Sequence, residues 1–425
     1  MVAALIAVRL LAALVLLLGP WTDSAAELVG WDVERFQELA DHPGQPWVDE
    51  PVEYPPGSLL LIETVGRSDV VATHRLLVVL SLIVDLTVGA MLTTSCSVRS
   101  AAAYLLLGLP LVPMGLLRFD LWSVVLAMVA VTAFTHHRWR LFGVLVTAAA
   151  LVKVWPALLA AAALAVGRWR AAGWAVALMA LAGLTWLGWA GGTIEPVQQV
   201  LSLRGATGWH VESVPGSLVS LATGEEPVLE LNAYRVGTLS PTLILLGRGL
   251  TLGVVAGLTY LGWRRRPVGD NYGSDDAAAV ETMTTVAVVM LGSTAALVVT
   301  APLLSPQFLL WLTPWAALTT VTVSDQRDSQ SPWQWAQWRS PPWRRWLGPE
   351  GSLLLLTGGA TLLTGATSLL FGPPDLGRPL PAVLLLVRDG FLVAVIVQCF
   401  RSLPAVTPSE RLAEVAQLRP RPNSS

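Results

Sequence analysis

Between Arg140 and Arg168 the chain reads RLFGVLVTAAALVKVWPALLAAAALAVGR. Its flanks and its middle decide how the chain is threaded. Both flanks are basic (Arg138 and Arg140, then Arg168 and Arg170), and Pro156 interrupts the apolar run near its centre. A proline inside a helix removes a hydrogen bond and clashes with the turn before it. Each arm, Leu141–Val152 and Pro156–Val166, has about a dozen residues, or roughly 18 Å of helix. A hydrocarbon core needs about 30 Å. Residues 141–166 therefore read as a re-entrant helical hairpin whose tip, Lys153-Val154-Trp155-Pro156, stops within the membrane. The alternative, one kinked span, inverts every later loop and puts Arg264, Arg265 and Arg266 outside.

Working outward, the chain of 425 residues is 54% hydrophobic and 13% charged, about half the charge of a typical soluble domain. Val2–Gly19 reads as an uncleaved first span, the alternative being a secretory signal with Ser24-Ala25-Ala26 as its cleavage site. Further apolar segments run over Val70–Thr94, Ala101–Leu117, Leu121–Thr135, Ala171–Ala190, Thr238–Trp263, Val280–Thr300, Leu303–Val323, Ser352–Phe371 and Ala382–Phe400. The loops of one face carry 16 arginines and those of the other 7. Basic loops stay in the cytoplasm, so both termini are expected inside. The predicted fold is an all-α polytopic membrane protein of about ten spans plus the hairpin, in a single integral catalytic domain over 1–402. It has external loops at 21–69 and 191–237, a surface helix at Pro55–Gly66 and a cytoplasmic tail over 403–425. Ser331–Gly348 packs five tryptophans among arginines and prolines, a composition suited to the headgroup layer. The two cysteines, Cys96 and Cys399, have no metal or redox spacing.

Ionisable residues are the candidates for chemistry. Lys153 is the only lysine beside 26 arginines, and 11 of the 29 acidic residues lie between Trp21 and Asp69. Asp85, Lys153, Arg248, Arg388 and Asp389 fall within apolar segments, where a bilayer disfavours them. Asp85 and Lys153 are possible mutual partners, and the adjacent Arg388 and Asp389 read as bundle-facing structure. Arg118-Phe119-Asp120 forms a tight external turn. His210 and Glu212 stand in the second long loop and Gln307 in a later turn, all able to bond sugar hydroxyls or to cap helices. No GxSxG, HExxH, P-loop or dinucleotide motif is present, which removes support from hydrolase, zinc-protease and nucleotide-fuelled readings. Nothing points to nucleic acid.

GWDVERF (Gly30–Phe36), PVEYPPG (Pro51–Gly57), the RFD turn, LVKVWPALL (Leu151–Leu159), GWHVESVPGSL (Gly208–Leu218) and LLSPQFLLW (Leu303–Trp311) occur in that order. Together they resemble the actinobacterial members of glycosyltransferase family 87, which includes polyprenol-phosphate-mannose-dependent α-mannosyltransferases with the GT-C membrane fold. The resemblance covers about Gly30 to Pro314. It implies a polyprenyl-phosphate sugar donor, a glycolipid or glycan acceptor of the cell envelope, and inverting transfer outside the cytoplasm. It also implies a catalytic carboxylate in the first external loop. Asp32 matches that aspartate, with Phe36 where Tyr is commoner. Asp49 and Glu53 belong to a second motif of the loop, with Asp49 the other catalytic candidate and Tyr54 beside it. Thr207 stands where the family often has Arg.

The chemistry gives these residues roles. One carboxylate takes the acceptor's proton as its oxygen attacks the anomeric carbon. The polyprenyl phosphate leaves as an anion and needs a cation or a bound metal. Lys153 suits that phosphate as a point charge, and Arg118 is the second candidate. Glu53, Tyr54, Arg118, Asp120, Lys153, His210, Glu212 and Gln307 form the expected substrate-binding set. No cofactor is firmly implied; the paired carboxylates of the first loop could hold a divalent ion, and lipids are the expected surroundings. The competing readings are a lipid-linked-sugar flippase or transporter and a non-catalytic membrane subunit.

Overall fold

The computed structural model describes residues 1–19, 23–42, 44–66, 69–202, 205–265, 276–320, 349–371 and 373–403. The tryptophan-rich segment Ser331–Gly348, the tail beyond 403, and Arg204 lie outside the described residues.

Six helices are long and apolar enough to cross a bilayer, so this is a multi-pass membrane protein. They are α4 (Val70–Ser95), α10 (Trp169–Trp189), α13 (Pro241–Arg265), α14 (Asp276–Thr300, its apolar window beginning at Ala279), α16 (Pro349–Leu370) and α17 (Pro379–Ser402). A seventh span arises if α5 (Val98–Leu107) and the chain through α6 (Val112–Leu116) count as one, bent by 44° at Gly108–Pro110. The expected ten are not shown. Helix α1 (Val2–Leu18) has 17 residues and α7 (Asp120–Thr135) has 16, short of the roughly 20 that a hydrocarbon core requires. Leu303–Val323 is not one helix either. Pro306 opens a 3-10 turn to Trp311, and α15 (Thr313–Leu318) follows with Pro314 in its first turn, each proline fixing a start and not an interior.

The bundle is centred on α14, where every residue from Val286 to Leu291 is buried; a helix apolar all round belongs inside. Helices α10 and α13 lie at the periphery and turn most of their apolar surface outward. Inside the bundle, the Arg9 Nε of α1 donates to Asp85 of α4 at 2.5 Å, and the Tyr104 hydroxyl of α5 donates to the other carboxylate oxygen at 2.5 Å. Lys153 is therefore not the partner of Asp85. A charge on the first helix, about two turns from its start, is nearer in the folded chain than the lysine of the turned-back segment. Arg388 and Asp389 of α17 pair with each other in the core at 2.7 Å.

The stretch quoted at the outset turns back on itself. Helix α8 (Trp139–Val152) runs out, Lys153 breaks it in extended backbone, a 3-10 turn follows at Trp155–Ala157, and α9 (Leu158–Ala165) returns. Its two ends meet again: the Arg168 guanidinium stands 5.7 Å over the Trp139 ring, and Arg140 stands 5.3 Å over Trp174 in α10.

Two regions differ from their reading as loops. Residues Asp23–Asp41 form α2, an amphipathic helix whose Val33 and Phe36 are buried at helical spacing. After it, α3 (Pro56–Val65) begins on a proline and buries Leu59, Ile62 and Val65. The second long loop contains α11 (Glu195–Ser202), α12 (Val214–Thr223) and a small antiparallel sheet, so the fold is not wholly helical. Its strands are β1 (Trp209–His210), β2 (Val228–Glu230) and β3 (Ala233–Val236), in the order β1-β3-β2. The β2–β3 turn holds Leu231 and Asn232 at φ 52° and 58°, the left-handed pair a tight hairpin needs.

Candidate functional site

The motifs far apart in sequence converge at the end of the bundle where α8 turns back. The α3 start lies against that turn: the Ser58 hydroxyl donates to the Val152 carbonyl at 2.5 Å. A Cβ at Gly57 would stand 2.8 Å from the Leu151 backbone, so PPG is the form of the turn that lets the two chains touch. The Trp155 indole N–H donates to Ser123 of α7 at 3.0 Å, and the ring stacks on Trp311 at 5.9 Å. The Trp311 N–H in turn donates to Asp120 at 2.7 Å. Phe36 packs between Tyr54, at 5.7 Å, and Phe119, at 4.7 Å. The RFD, KVWP, SPQFLLW and first-loop elements thus brace one another.

GWHVESVPGSL folds as a strand and a capped helix. The His210 N–H donates to the Pro302 carbonyl at 3.2 Å, which zips the strand to the SPQ turn. Ser213 caps α12 by accepting from the Gly216 N–H at 3.1 Å. A Cβ at Gly216 would collide with the His210 carbonyl, so only glycine permits this close return.

These elements enclose a cavity of about 250 Å³. Asp32, Arg35, Glu53, Tyr54, Arg118, Lys153, His210, Glu212, Arg235 and Gln307 all line it. Met114, Leu303, Phe308, Phe371 and Leu376 supply an apolar wall. Most of the charges are matched. Arg118 pairs with Asp32. Arg35 reaches Glu50 at 2.9 Å and Glu53 at 3.5 Å, and donates to the Pro51 carbonyl. Arg235 lies 3.5 Å from Glu230 and donates to the Gly208 carbonyl at 3.0 Å.

Lys153 differs from these. Its ammonium stands 5.2 Å over the Tyr54 ring, and among the described residues it alone of the cavity cations forms no ion pair with a carboxylate. Burial, with Asp32 and Glu53 nearby, pushes the Tyr54 phenol well above its usual range, so the ring under the ammonium is neutral.

His210 is held neutral. Burial pushes its pKa down to about 3, and Arg235, Arg388 and Arg118 add to the shift. Its Nδ1 accepts from the Glu212 N–H at 3.3 Å, so the imidazole orders the strand. Glu212 moves the other way: burial raises its carboxyl to about 7 against the opposing pull of Arg388. Its Oε2 is buried with no hydrogen-bond partner among the described residues.

Eight of the ten residues singled out in the sequence thus line one cavity. Asp49 does not: it is exposed, and its carboxylate accepts from the Gln45 N–H at 2.7 Å, closing a turn of the first loop. Asp120 is buried behind the wall as the acceptor for Trp311. Sequence reasoning passed over Arg35, although it stands three residues after Asp32 and so shares its helix face. Arg235 and Phe308 carried no local signal, because only the hairpin and the SPQ turn bring them in. Among the described residues no group of three His, Cys, Asp or Glu side chains converges to hold a metal ion; Asp32 and Glu53 face arginines instead.

The fold and site define a class, a multi-pass helical membrane protein with a charged cavity at one end of the bundle. No protein-family model, curated protein or solved structure matches the chain.

Proposed function

We propose that the protein is a membrane glycosyltransferase that moves a sugar, mannose by the resemblance, from a polyprenyl-phosphate donor to an envelope lipid or glycan on the extracytoplasmic face. The observation that carries the reading is Lys153: a cation without a carboxylate partner among the described residues, at the wall of a polar cavity, in a bundle whose outer surface is apolar. A lipid phosphate has its charge at the membrane surface and its tail in the bilayer, and this arrangement meets both needs.

In this reading the donor phosphate sits against the Lys153 ammonium, with Arg118 the second cation at hand. The acceptor oxygen forms a bond to the anomeric carbon as the carbon–oxygen bond to phosphate breaks. The electron pair leaves with the polyprenyl phosphate, whose charge Lys153 stabilises. The acceptor proton passes to Asp32, which the Arg118 guanidinium fixes at the cavity wall. His210 and Gln307 line the same cavity. The test is donor consumption by the purified protein with envelope glycolipid as acceptor. Release of polyprenyl phosphate with transfer of its sugar is the expected result. Movement of intact donor across a vesicle bilayer without consumption would make the protein a flippase instead.

A further inference from the structure

Three carboxyl side chains line the cavity, and two are matched: Asp32 by Arg118 and Glu53 by Arg35. The third, Glu212, is 4% exposed. Its backbone is clamped on both sides, the N–H donating to His210 and the carbonyl accepting from Arg388 of α17. The charged groups that face it from other elements are Arg388 and Asp389 of α17 and Arg118 of the turn before α7. Arg388 is committed to Asp389 and to the Glu212 carbonyl, not to the Glu212 carboxylate. Arg118 is committed to Asp32. The Glu212 Oε2 is therefore a buried acceptor at the cavity wall with no hydrogen bond among the described residues; Arg388 Nη1, on the guanidinium that bonds the Glu212 carbonyl, is a donor in the same condition. Buried polar atoms are nearly always satisfied, and an exception at a cavity wall points to a ligand.

We propose that Glu212 recognises the donor's sugar ring, its free carboxylate oxygen accepting hydrogen bonds from hydroxyl groups of the hexosyl unit. The inference rests on the transferase reading above and specifies which part of the donor lies where. A cationic ligand group is disfavoured by Arg388 and Arg118, and a phosphate by the carboxylate itself, whereas hydroxyls are neutral donors. Lys153 stands over Tyr54. Arg118 acts electrostatically on both Tyr54 and Glu212, so the phosphate position and the carboxyl fall within the field of one guanidinium. Phe308, stacked on Trp311 at 4.3 Å, adds a rigid apolar face to the same wall. The cavity volume is below that of a drug-sized site and suits a single monosaccharide ring.

Glu212 titrates near neutrality. Its ionised form is the better acceptor, so affinity for the sugar-bearing donor rises as pH rises through about 7.

The experiment measures binding of polyprenyl-phosphate mannose and of bare polyprenyl phosphate to wild type and Glu212→Gln in detergent, across that pH range. Glu212→Gln is expected to weaken the sugar-bearing donor by about 10- to 100-fold, the scale of losing hydrogen bonds to a charged group. It should also abolish the rise with pH and leave bare polyprenyl phosphate unchanged, which shows that the variant is folded. Equal affinity of the two proteins for the sugar-bearing donor overturns the proposal. So does a parallel loss of both ligands, which would place Glu212 at the phosphate or in the framework. Failure of the wild type to bind either ligand refutes the transferase reading itself, and is distinct from both.

Discussion

Replacing Lys153 by methionine keeps the length of the side chain and removes its charge. In the free protein the loss is small, because among the described residues the ammonium stands over the Tyr54 face and forms no ion pair, a contact worth about 0.5–1 kcal/mol at such a site. In the donor complex it is larger. Lys153 is half-buried at the cavity wall, so its bond to a phosphate oxygen falls between two regimes. An exposed ion pair contributes about 0–1 kcal/mol, whereas a hydrogen bond to a charged group in a sheltered site contributes about 1.5–3 kcal/mol. The enclosure favours the second, which corresponds to a rise in donor Kd of roughly 10- to 150-fold. Lys153→Arg restores charge but brings a planar fork to a site shaped for a point charge, so it should recover only part of the affinity. The assay is equilibrium binding of polyprenyl-phosphate mannose to purified protein, with thermal melting as a control for folding. A methionine variant that melts normally and binds donor within about twofold of wild type, well under the effect expected for a charged bond, refutes the argument.

Three further outcomes are expected. Asp32→Asn should lower turnover by about 10²–10⁴-fold, as loss of a general base does, with donor binding retained, whereas Asp49→Asn should turn over normally because Asp49 only closes a turn; steady-state donor consumption compares the two. Arg9→Met leaves Asp85 buried without its cation and should lower stability by about 3–5 kcal/mol. Adding Asp85→Asn, which can still accept from Tyr104, should restore most of the melting temperature; no rescue would mean that the helix contact matters and the ion pair does not. For topology, a cysteine at Thr223 should react with an impermeant reagent in intact cells and one at Arg170 should not, with little background from the buried Cys96 and Cys399; the opposite pattern inverts the orientation.

Where sequence reasoning reached furthest, the signal was local. The run from Arg140 to Arg168 showed its turning point because a proline and a lone lysine interrupt an apolar helix. The six motifs singled out six short stretches, and eight of the ten residues chosen from the sequence line the cavity. Asp49 was misplaced because an acidic residue beside prolines and aromatics reads the same whether it faces a cavity or closes a turn. Asp85 was offered the wrong partner because ion pairing inside a bundle depends on which helices are neighbours. Spacing along the chain does not carry that information. The count of ten spans is not shown, for a related reason. Hydropathy measures apolar length, and it cannot see that Gly108–Pro110 bends one segment or that Pro306 and Pro314 divide another.

The sequence by itself determined that this is a helical membrane protein and that the 140–168 stretch breaks in its middle, since composition and helix-breaking chemistry act over a few residues. The tertiary structure alone decided which charges remain unmatched. Arg118 could have stood unpaired, but the fold gives it Asp32; Arg388 could have met the Glu212 carboxylate, but it bonds Asp389 and the Glu212 carbonyl. Lys153 and Glu212 are left, one cation and one carboxyl at the wall of the same cavity. Whether a buried charge is structural or open to a ligand depends on which partners lie within a few ångströms, and those partners come from distant parts of the chain.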